Sequence, residues 1–242
     1  MTDLAGYEAL SFDCYGTLID WEAGILAALA PWAKRTGCDA SSEDMLAHFA
    51  RHETVLQSEL PAEGYPAILH RVMHRLGASL GCPVSDHDAE VLAGSVGAWP
   101  AFADSPPALK SLAARYRLII LSNVDRASFR ASNDRLGVEF DAIVTAQDVG
   151  AYKPSADNFA ALAARIEELG VGSGKLLHVA QSLYHDHVPA KAAGLATVWI
   201  DRRAGKDGWG ATPQPARAVE PDWVFPDMAS FAAACEAAHA LR

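Results

Sequence analysis

Asp13 follows an apolar segment and precedes a glycine, an order typical of a nucleophile at the end of a buried strand. Residues 7–12 have the apolar content and length of a core strand, and Gly16 supplies the backbone freedom for a turn just beyond Asp13. Open parallel sheets carry their chemistry at the carboxyl ends of strands. A carboxylate held there, away from bulk water, can attack an electrophile and form a covalent ester or anhydride. The alternative is that Asp13 is an ordinary turn or helix-capping residue.

Polar side chains also follow three later apolar segments. Ser122 and Asn123 end the second segment, and Lys153 follows the third. The fourth segment runs into a stretch that contains Asp186. Each of these positions lies at the carboxyl end of a predicted strand or just beyond it, where α/β proteins place catalytic groups.

The spacing of apolar runs predicts an α/β fold, a Rossmann-like doubly wound parallel sheet with an inserted helical cap domain. Strands that alternate with helical patterns are typical of parallel sheets. Glycine often follows the helical patterns, as expected at helix ends. The predicted strands span residues 10–14, 118–122, 142–146, 176–180 and 196–201, and residues 205–215 are predicted to form an irregular surface loop.

The first connection is much longer than a crossover requires. About a hundred residues separate the first predicted strand from the second, whereas a crossover needs roughly a dozen. Four helical patterns fill this interval, at residues 25–35, 43–56, 65–76 and 86–96. We therefore predict a catalytic core of residues 1–19 and 100–242 and a helical cap of residues 20–99, which would close the site against water.

Composition argues against several classes of partner. The 242 residues include 20 Lys and Arg against 30 Asp and Glu, a net charge of −10, which disfavours nucleic acid as a partner. The four cysteines are scattered, so neither a disulfide framework nor a zinc site is indicated. No signal segment or membrane span is recognised. A cytoplasmic protein that does not bind membranes is expected.

In order and with fitting intervals, the four segments resemble the four motifs of the haloacid dehalogenase superfamily. Phosphatases of that superfamily carry a second aspartate two residues after the nucleophile and a magnesium-binding aspartate in the fourth motif. The matching residues here are Tyr15 and Gln181. Because a neutral amide in place of a carboxylate weakens a site for a hard cation, we expect no metal and no cofactor.

The segment from Asp13 to Asp20 resembles the opening of the type II 2-haloacid dehalogenases, which need no metal. The resemblance implies that Asp13 attacks the carbon bearing the halogen from its back side and forms an aspartyl ester, which water then hydrolyses. The substrate would be a short 2-haloalkanoic acid, and a homodimer is also implied. Two alternatives remain, a magnesium-dependent phosphatase of the same superfamily and a non-catalytic protein that binds a small carboxylate.

The resemblance also implies a role for each motif residue. Lys153 is expected to keep Asp13 ionised, because a nearby opposite charge lowers a carboxyl pKa, and Asp186 to activate the hydrolytic water. The remaining predicted residues contact the substrate, the halide or the nucleophile. They are Ser122, Thr17, Asn123, Tyr15, Ser182, Tyr184 and, as the arginine that the cap contributes to the halide, Arg51, with Arg35 as the second choice.

Other side chains have two interpretations. His185 and His187 flank Asp186, but without a visible cluster of partners they are expected to be exposed or locally bonded rather than metal ligands. Three aromatic residues of the insertion either line an apolar halide pocket or, as we favour, pack within the cap. They are Trp21, Tyr65 and Trp99.

Overall fold

A six-stranded parallel sheet forms the centre of the protein in a computed structural model that describes residues 3–172 and 174–241. Its strand order, β3-β2-β1-β4-β5-β6, confirms the predicted doubly wound sheet. The last strand was not predicted, because three residues give too short a pattern. The strands are β1 Ala9–Phe12, β2 Arg117–Ser122, β3 Ala142–Thr145, β4 Leu176–Ala180, β5 Ala196–Ile200 and β6 Trp223–Phe225.

Residues 20–99 of the long first connection form four helices and a short 3-10 turn. The helices are α1 Trp21–Thr36, α2 Ser42–Glu59, α3 Tyr65–Leu80 and α4 Asp86–Ala93, and the turn is Val96–Ala98. Gly24 lets α1 pack closely, since a Cβ atom there would lie 2.2 Å from Cγ of Trp99. The four predicted helical patterns thus correspond to real helices, whereas the division into core and cap domains stays a prediction.

Six further helices follow in the rest of the described chain. They are α5 Ser105–Ala113, α6 Arg126–Leu136, α7 Ala146–Val149, α8 Ala156–Glu168, α9 Val188–Ala192 and α10 Met228–Ala240. Helical patterns at residues 109–114, 129–136, 158–169 and 189–193 predict α5, α6, α8 and α9, whereas no pattern predicted α7 or α10. In α10 the apolar residues are mostly alanines spread around the helix, so no apolar face marks it.

Strand β1 lies in the middle of the sheet and carries the first motif. It pairs with β2 on one side and with β4 on the other, and all four of its residues are buried. A strand covered on both faces needs apolar residues on both, which explains the continuous apolar run that predicted it. The carboxyl ends of β1, β2 and β4 consequently lie side by side.

The connection from β5 to β6, here named the 201–222 loop, joins the sheet to the inserted helices. It is irregular as predicted, but part of it is buried. Arg203 donates hydrogen bonds to Glu22 of α1 and Glu43 of α2, and the backbone amide of Ala211 donates to Glu22. These contacts bury Thr212 beside the cavity described below, so the prediction of a simple surface loop is wrong for this stretch.

The cysteines Cys14, Cys38, Cys82 and Cys235 are all free thiols. Within the described residues, no helix combines the length and the apolar content needed to cross a membrane.

Candidate active site

Asp13 lies immediately after β1 and is almost completely buried, with 6% of its surface exposed. Its amide donates to the carbonyl of Val179 in β4, which continues the sheet by one residue. The chain then turns at Gly16, whose φ of +93° is a conformation that favours glycine. The turn brings the Thr17 hydroxyl back to donate to Oδ2 of Asp13 at 2.7 Å. The loop therefore orients the carboxylate.

The Lys153 ammonium connects the motifs. Its Nζ donates to Oδ1 of Asp13 at 2.9 Å, to Oδ1 of Asp186 at 2.7 Å and to the carbonyl of Leu121 at 2.9 Å. An ammonium has three protons, so these three acceptors use all of them. Two buried carboxylates thus share one cation, and no proton of Lys153 remains for a ligand.

Asp186 lies on a single π-helical turn, Leu183–His187, that follows β4. His178 of β4 contacts its Oδ1 atom through Nε2 at 3.0 Å, and Nδ1 of His178 contacts the Ser11 hydroxyl of β1 at 2.9 Å. The Oδ2 atom is buried and has no hydrogen-bond partner among the described residues. One oxygen is therefore fixed by the protein, and the other remains available to a ligand or water.

Burial and mutual charge interactions shift the pKa values of Asp13, Lys153 and Asp186. Burial raises the pKa of Asp13, although Lys153 and the Thr17 hydroxyl oppose the shift. Burial would also raise the pKa of Asp186, but Lys153 and His178 hold it well below its usual range. The two carboxylates in turn raise the pKa of Lys153 despite its burial. At neutral pH the ammonium is charged, and Asp186 is a carboxylate.

The protein holds the motif residues Ser122 and Asn123 in different ways. Asn123 accepts from the Lys153 amide at 2.7 Å and donates to its carbonyl at 3.1 Å, so it fixes the loop that carries Lys153. The Ser122 hydroxyl is buried without a partner in the described chain and does not line the cavity. Thr17 contacts Asp13, as one of its two predicted roles requires.

A cavity of about 390 Å³ opens above these groups. Its floor, as we use the term, consists of Asp13, Asn123, Lys153 and Asp186, and its roof consists of Glu53, Gln57 and Tyr65 from α2 and α3. Its walls are Tyr15, Trp21, Ser182, His185 and Thr212. The predicted pocket residues Tyr15 and Ser182 therefore do line it, and so do two of the three aromatic residues considered for the pocket.

The prediction that Arg51 lines the pocket is wrong. Its side chain lies on the exposed face of α2, where it contacts His48 and His52. A helix turns by 100° per residue, so the face two and six residues further on, at Glu53 and Gln57, points into the cavity instead. Arg35 pairs with Asp88 at the surface and does not replace Arg51.

Two further predicted residues lie outside the cavity. Tyr184 is half-buried and lines a neighbouring groove with Tyr152, because the π-helical turn directs it away from Asp13. Trp99 packs edge-on against Tyr15 with ring centroids 5.6 Å apart. The packed interpretation is thus confirmed for Trp99, and no described contact supports Tyr184 as a pocket residue.

His185 and His187 are buried and locally bonded, so the local-bonding alternative is confirmed and exposure is wrong. Nδ1 of His185 contacts the Ser182 hydroxyl at 3.2 Å, and Nε2 of His187 contacts the carbonyl of Ala180 at 3.0 Å. Burial lowers the pKa of each to about 4. Both imidazoles are therefore neutral near pH 7.

Several site residues carried no sequence signal. Glu53, Gln57 and Thr212 lie in segments whose three-dimensional direction the motifs do not determine. His178 could have been found, because a histidine in an otherwise apolar strand needs a polar partner when the strand is buried. Its partner, Ser11, stands at the matching register position of β1.

Gln181 at the position of the phosphatases' magnesium-binding aspartate, and Tyr15 at the position of their general acid, do not fit a magnesium-dependent phosphatase. The Gln181 side-chain oxygen accepts from the Thr212 hydroxyl at 3.1 Å. The Tyr15 hydroxyl contacts Ser132 at 2.8 Å, and burial raises its pKa well above the ordinary value. Asp13 is then the one carboxylate of this set, and both of its oxygens accept hydrogen bonds already. A hard divalent cation would therefore find less anionic oxygen here than an aspartate at the Gln181 position would supply.

Comparisons with solved structures show the same fold. The defluorinating L-2-haloacid dehalogenase Rha0230 is 20% identical with a TM-score of 0.77, and the match covers 98% of this chain and 99% of that one. An L-2-haloacid dehalogenase from Xanthobacter autotrophicus with chloropropionic acid covalently bound is 19% identical with a TM-score of 0.73, over 94% and 97%. The putative HAD-hydrolase YfnB from Bacillus subtilis, bound to magnesium, is 17% identical with a TM-score of 0.74, over 95% and 99%.

A search of curated proteins gave no match to the sequence. A family model described as haloacid dehalogenase-like hydrolase matches residues 7–194, which include Asp13, Lys153 and Asp186. The matched range spans most of the chain and every strand from β1 to β4. The chain therefore belongs to the haloacid dehalogenase-like hydrolase family.

Proposed function

We propose that this protein is a metal-independent hydrolase of short 2-haloalkanoic acids. The observation that carries the proposal is the pairing of one buried ammonium, Lys153, with both Asp13 and Asp186. Gln181 occupies the position of the phosphatases' magnesium-binding aspartate, and Tyr15 that of their general acid. A carboxylate oriented in this way can attack a carbon centre without a metal. The fold shared with proteins named as L-2-haloacid dehalogenases supports the same substrate class.

The first step would form an ester on Asp13. A carboxylate oxygen attacks the carbon that bears the halogen, and the carbon–halogen bond breaks with its electron pair leaving as halide. The hydrogen bonds from Lys153 and Thr17 hold the carboxylate in one orientation, which lowers the entropic part of the barrier. The walls of Tyr15 and Trp21 supply apolar surface near the departing halide.

The second step would release the product. Asp186 takes a proton from water, whose oxygen adds to the ester carbonyl of Asp13. The acyl–oxygen bond then breaks, the departing alkoxide takes the proton from Asp186 and leaves as the 2-hydroxy acid, and Asp13 loses its remaining proton to solvent. The free Oδ2 atom of Asp186 is the acceptor for the proton from water, since Oδ1 contacts Lys153 and His178. Attack on the carbonyl of Asp13 regenerates the nucleophile.

Halide release in the presence of a chelator tests the proposal. The substrates are chloroacetate, fluoroacetate and each enantiomer of 2-chloropropionate, with a phosphate ester plus magnesium assayed alongside and Asp13→Asn as the matched control. Release that survives chelation in the wild type and is lost in Asp13→Asn supports the proposal. Phosphate release alone, lost on chelation, would favour a phosphatase, and inertness toward every compound would favour a carboxylate-binding protein.

A further inference from the structure

The cavity offers no free cation to an anionic substrate. Lys153 is the only cationic side chain among the described residues that line it, and Asp13, Leu121 and Asp186 accept all three of its protons. Two carboxylates and one ammonium leave the floor with a net charge of −1. A small carboxylate therefore needs a hydrogen-bond donor elsewhere in the cavity.

Glu53 is the acidic residue of the roof. It is 2% exposed and projects from α2, and its Oε1 atom accepts the Tyr65 hydroxyl of α3 at 2.7 Å. Its second oxygen makes no hydrogen bond to any other described residue. When the side chain is neutral, Oε1 acts as the acceptor for Tyr65, so the proton lies on Oε2. The neutral acid thus presents one O–H donor to the cavity.

Apart from Asp13, whose pKa burial raises, the groups that face Glu53 do not exchange protons near neutral pH. Those on the floor are Asp13, Lys153 and Asp186, those on the roof and walls are Tyr65, Tyr15 and His185, and Tyr152 lies in the neighbouring groove. His185 is neutral, and burial raises the pKa of all three tyrosines. Burial raises the pKa of Glu53 to about 7, and the Tyr65 hydrogen bond opposes the shift in part.

We propose that Glu53 determines which charge the cavity admits: as a neutral acid it donates a hydrogen bond to the anionic end of a small carboxylate substrate, and as a carboxylate it excludes that anion. The identity of the substrate class rests on the proposed function, whereas the admission of a monoanion is a property of the cavity. A neutral donor suits this site because it adds no charge beside Asp13 and Asp186. It replaces the arginine expected on the same helix.

Binding of acetate, an unreactive monoanion, tests the inference. Calorimetric titration of the wild type between pH 6 and pH 8.5 should show the affinity falling about 30-fold, because binding then requires one proton on Glu53. In Glu53→Gln, which keeps a donor but does not titrate, the fall should be less than about threefold. Any contribution of Asp13 to the pH dependence of acetate affinity would persist in Glu53→Gln. Glu59→Gln, an exposed position on α2, is the matched control and should follow the wild type.

A second measurement needs no variant. Acetate titrations of the wild type at pH 8.5 in buffers of different ionisation enthalpy should report uptake of close to one proton, against almost none at pH 5.5. Affinity that does not change with pH, an unchanged fall in Glu53→Gln or no acetate binding at pH 6 would each overturn the inference. A different outcome is acetate binding that depends on pH through Glu53 but is accompanied by no halide release from any haloacid. That outcome would refute the dehalogenase proposal and leave the role of Glu53 intact.

Discussion

The floor and the roof of the cavity differ in how their charges are held. On the floor, Lys153 contacts two carboxylates and a carbonyl at 2.7 to 2.9 Å, and loops after three strands of one sheet fix all of these groups. On the roof, Glu53 has a single hydrogen-bond partner among the described residues, Tyr65, and both residues belong to helices. The floor therefore holds its charged groups in one network of hydrogen bonds, whereas Glu53 on the roof can change its charge.

Under the proposed function, the floor carries out the reaction and the roof selects the substrate. Nucleophilic attack requires a fixed carboxylate, so its position depends on the sheet. Substrate choice depends on which groups the inserted helices present, and a change on one helix face alters them without disturbing the sheet. Removal of a charged group should therefore destabilise the protein on the floor but stabilise it on the roof above neutral pH.

The largest expected effect is on the floor, at Asp13. Asp13→Asn should lower kcat by at least about 10⁴-fold, because the amide cannot form the ester. The isosteric side chain can still accept from Thr17, so the fold should persist. Halide release and circular dichroism measure the two effects. Turnover within tenfold of the wild type would mean that Asp13 is not the nucleophile.

Lys153→Met should abolish activity and destabilise the protein by about 3 to 5 kcal/mol at pH 7, since two buried carboxylates would lose their cation. The loss should shrink as pH falls, because protonation neutralises the unpaired carboxylates. Urea unfolding at pH 7 and pH 5 measures both trends. A variant as stable as the wild type at pH 7 would contradict the shared ion pair.

The sequence predicted the floor far better than the roof, for a physical reason. Parallel strands bring their carboxyl ends to one edge, so Asp13, Lys153 and Asp186 had to approach one another once the strands were recognised. No comparable rule fixes the rotation of α2. Arg51 and Glu53 are two residues apart, about 200° around the helix, and the pattern could not tell which one faces the cavity. The 201–222 loop was equally beyond prediction, because an irregular segment has no period.

On the roof, Glu53→Gln should stabilise the protein above neutral pH. The raised pKa of Glu53, about 7 against 4.5, contributes stability that is present below pH 4.5 and is lost as pH rises through about 7. The variant should therefore gain up to about 3 kcal/mol on the wild type between pH 4.5 and pH 8. Chemical unfolding across this range measures the gain. In Glu59→Gln the free energy of unfolding should follow the wild type, and an equal gain there would refute the assignment.

His178→Ala should slow hydrolysis of the ester about 10- to 100-fold while leaving its formation less affected, because Asp186 loses one of the two groups that orient its Oδ1 atom. Intact-mass spectrometry during turnover should then detect an adduct on Asp13. Ser11→Ala removes only the partner of His178 and should have a smaller effect. If ester formation and ester hydrolysis slowed equally, His178 would instead stabilise the arrangement of the whole floor and not Asp186 alone.

The smallest effect is expected at Arg51, for which the family resemblance and the structure predict different results. The resemblance implies an arginine that binds halide, so Arg51→Ala should raise KM for a haloacid many-fold. The structure leaves Arg51 exposed beside His48 and His52, so the variant should keep kcat/KM and change the free energy of unfolding by no more than about 0.5 kcal/mol. Steady-state kinetics at pH 6 and pH 8 decide between them. A large rise in KM would mean that α2 rotates when substrate binds, and Glu53 would then leave the cavity as Arg51 enters it.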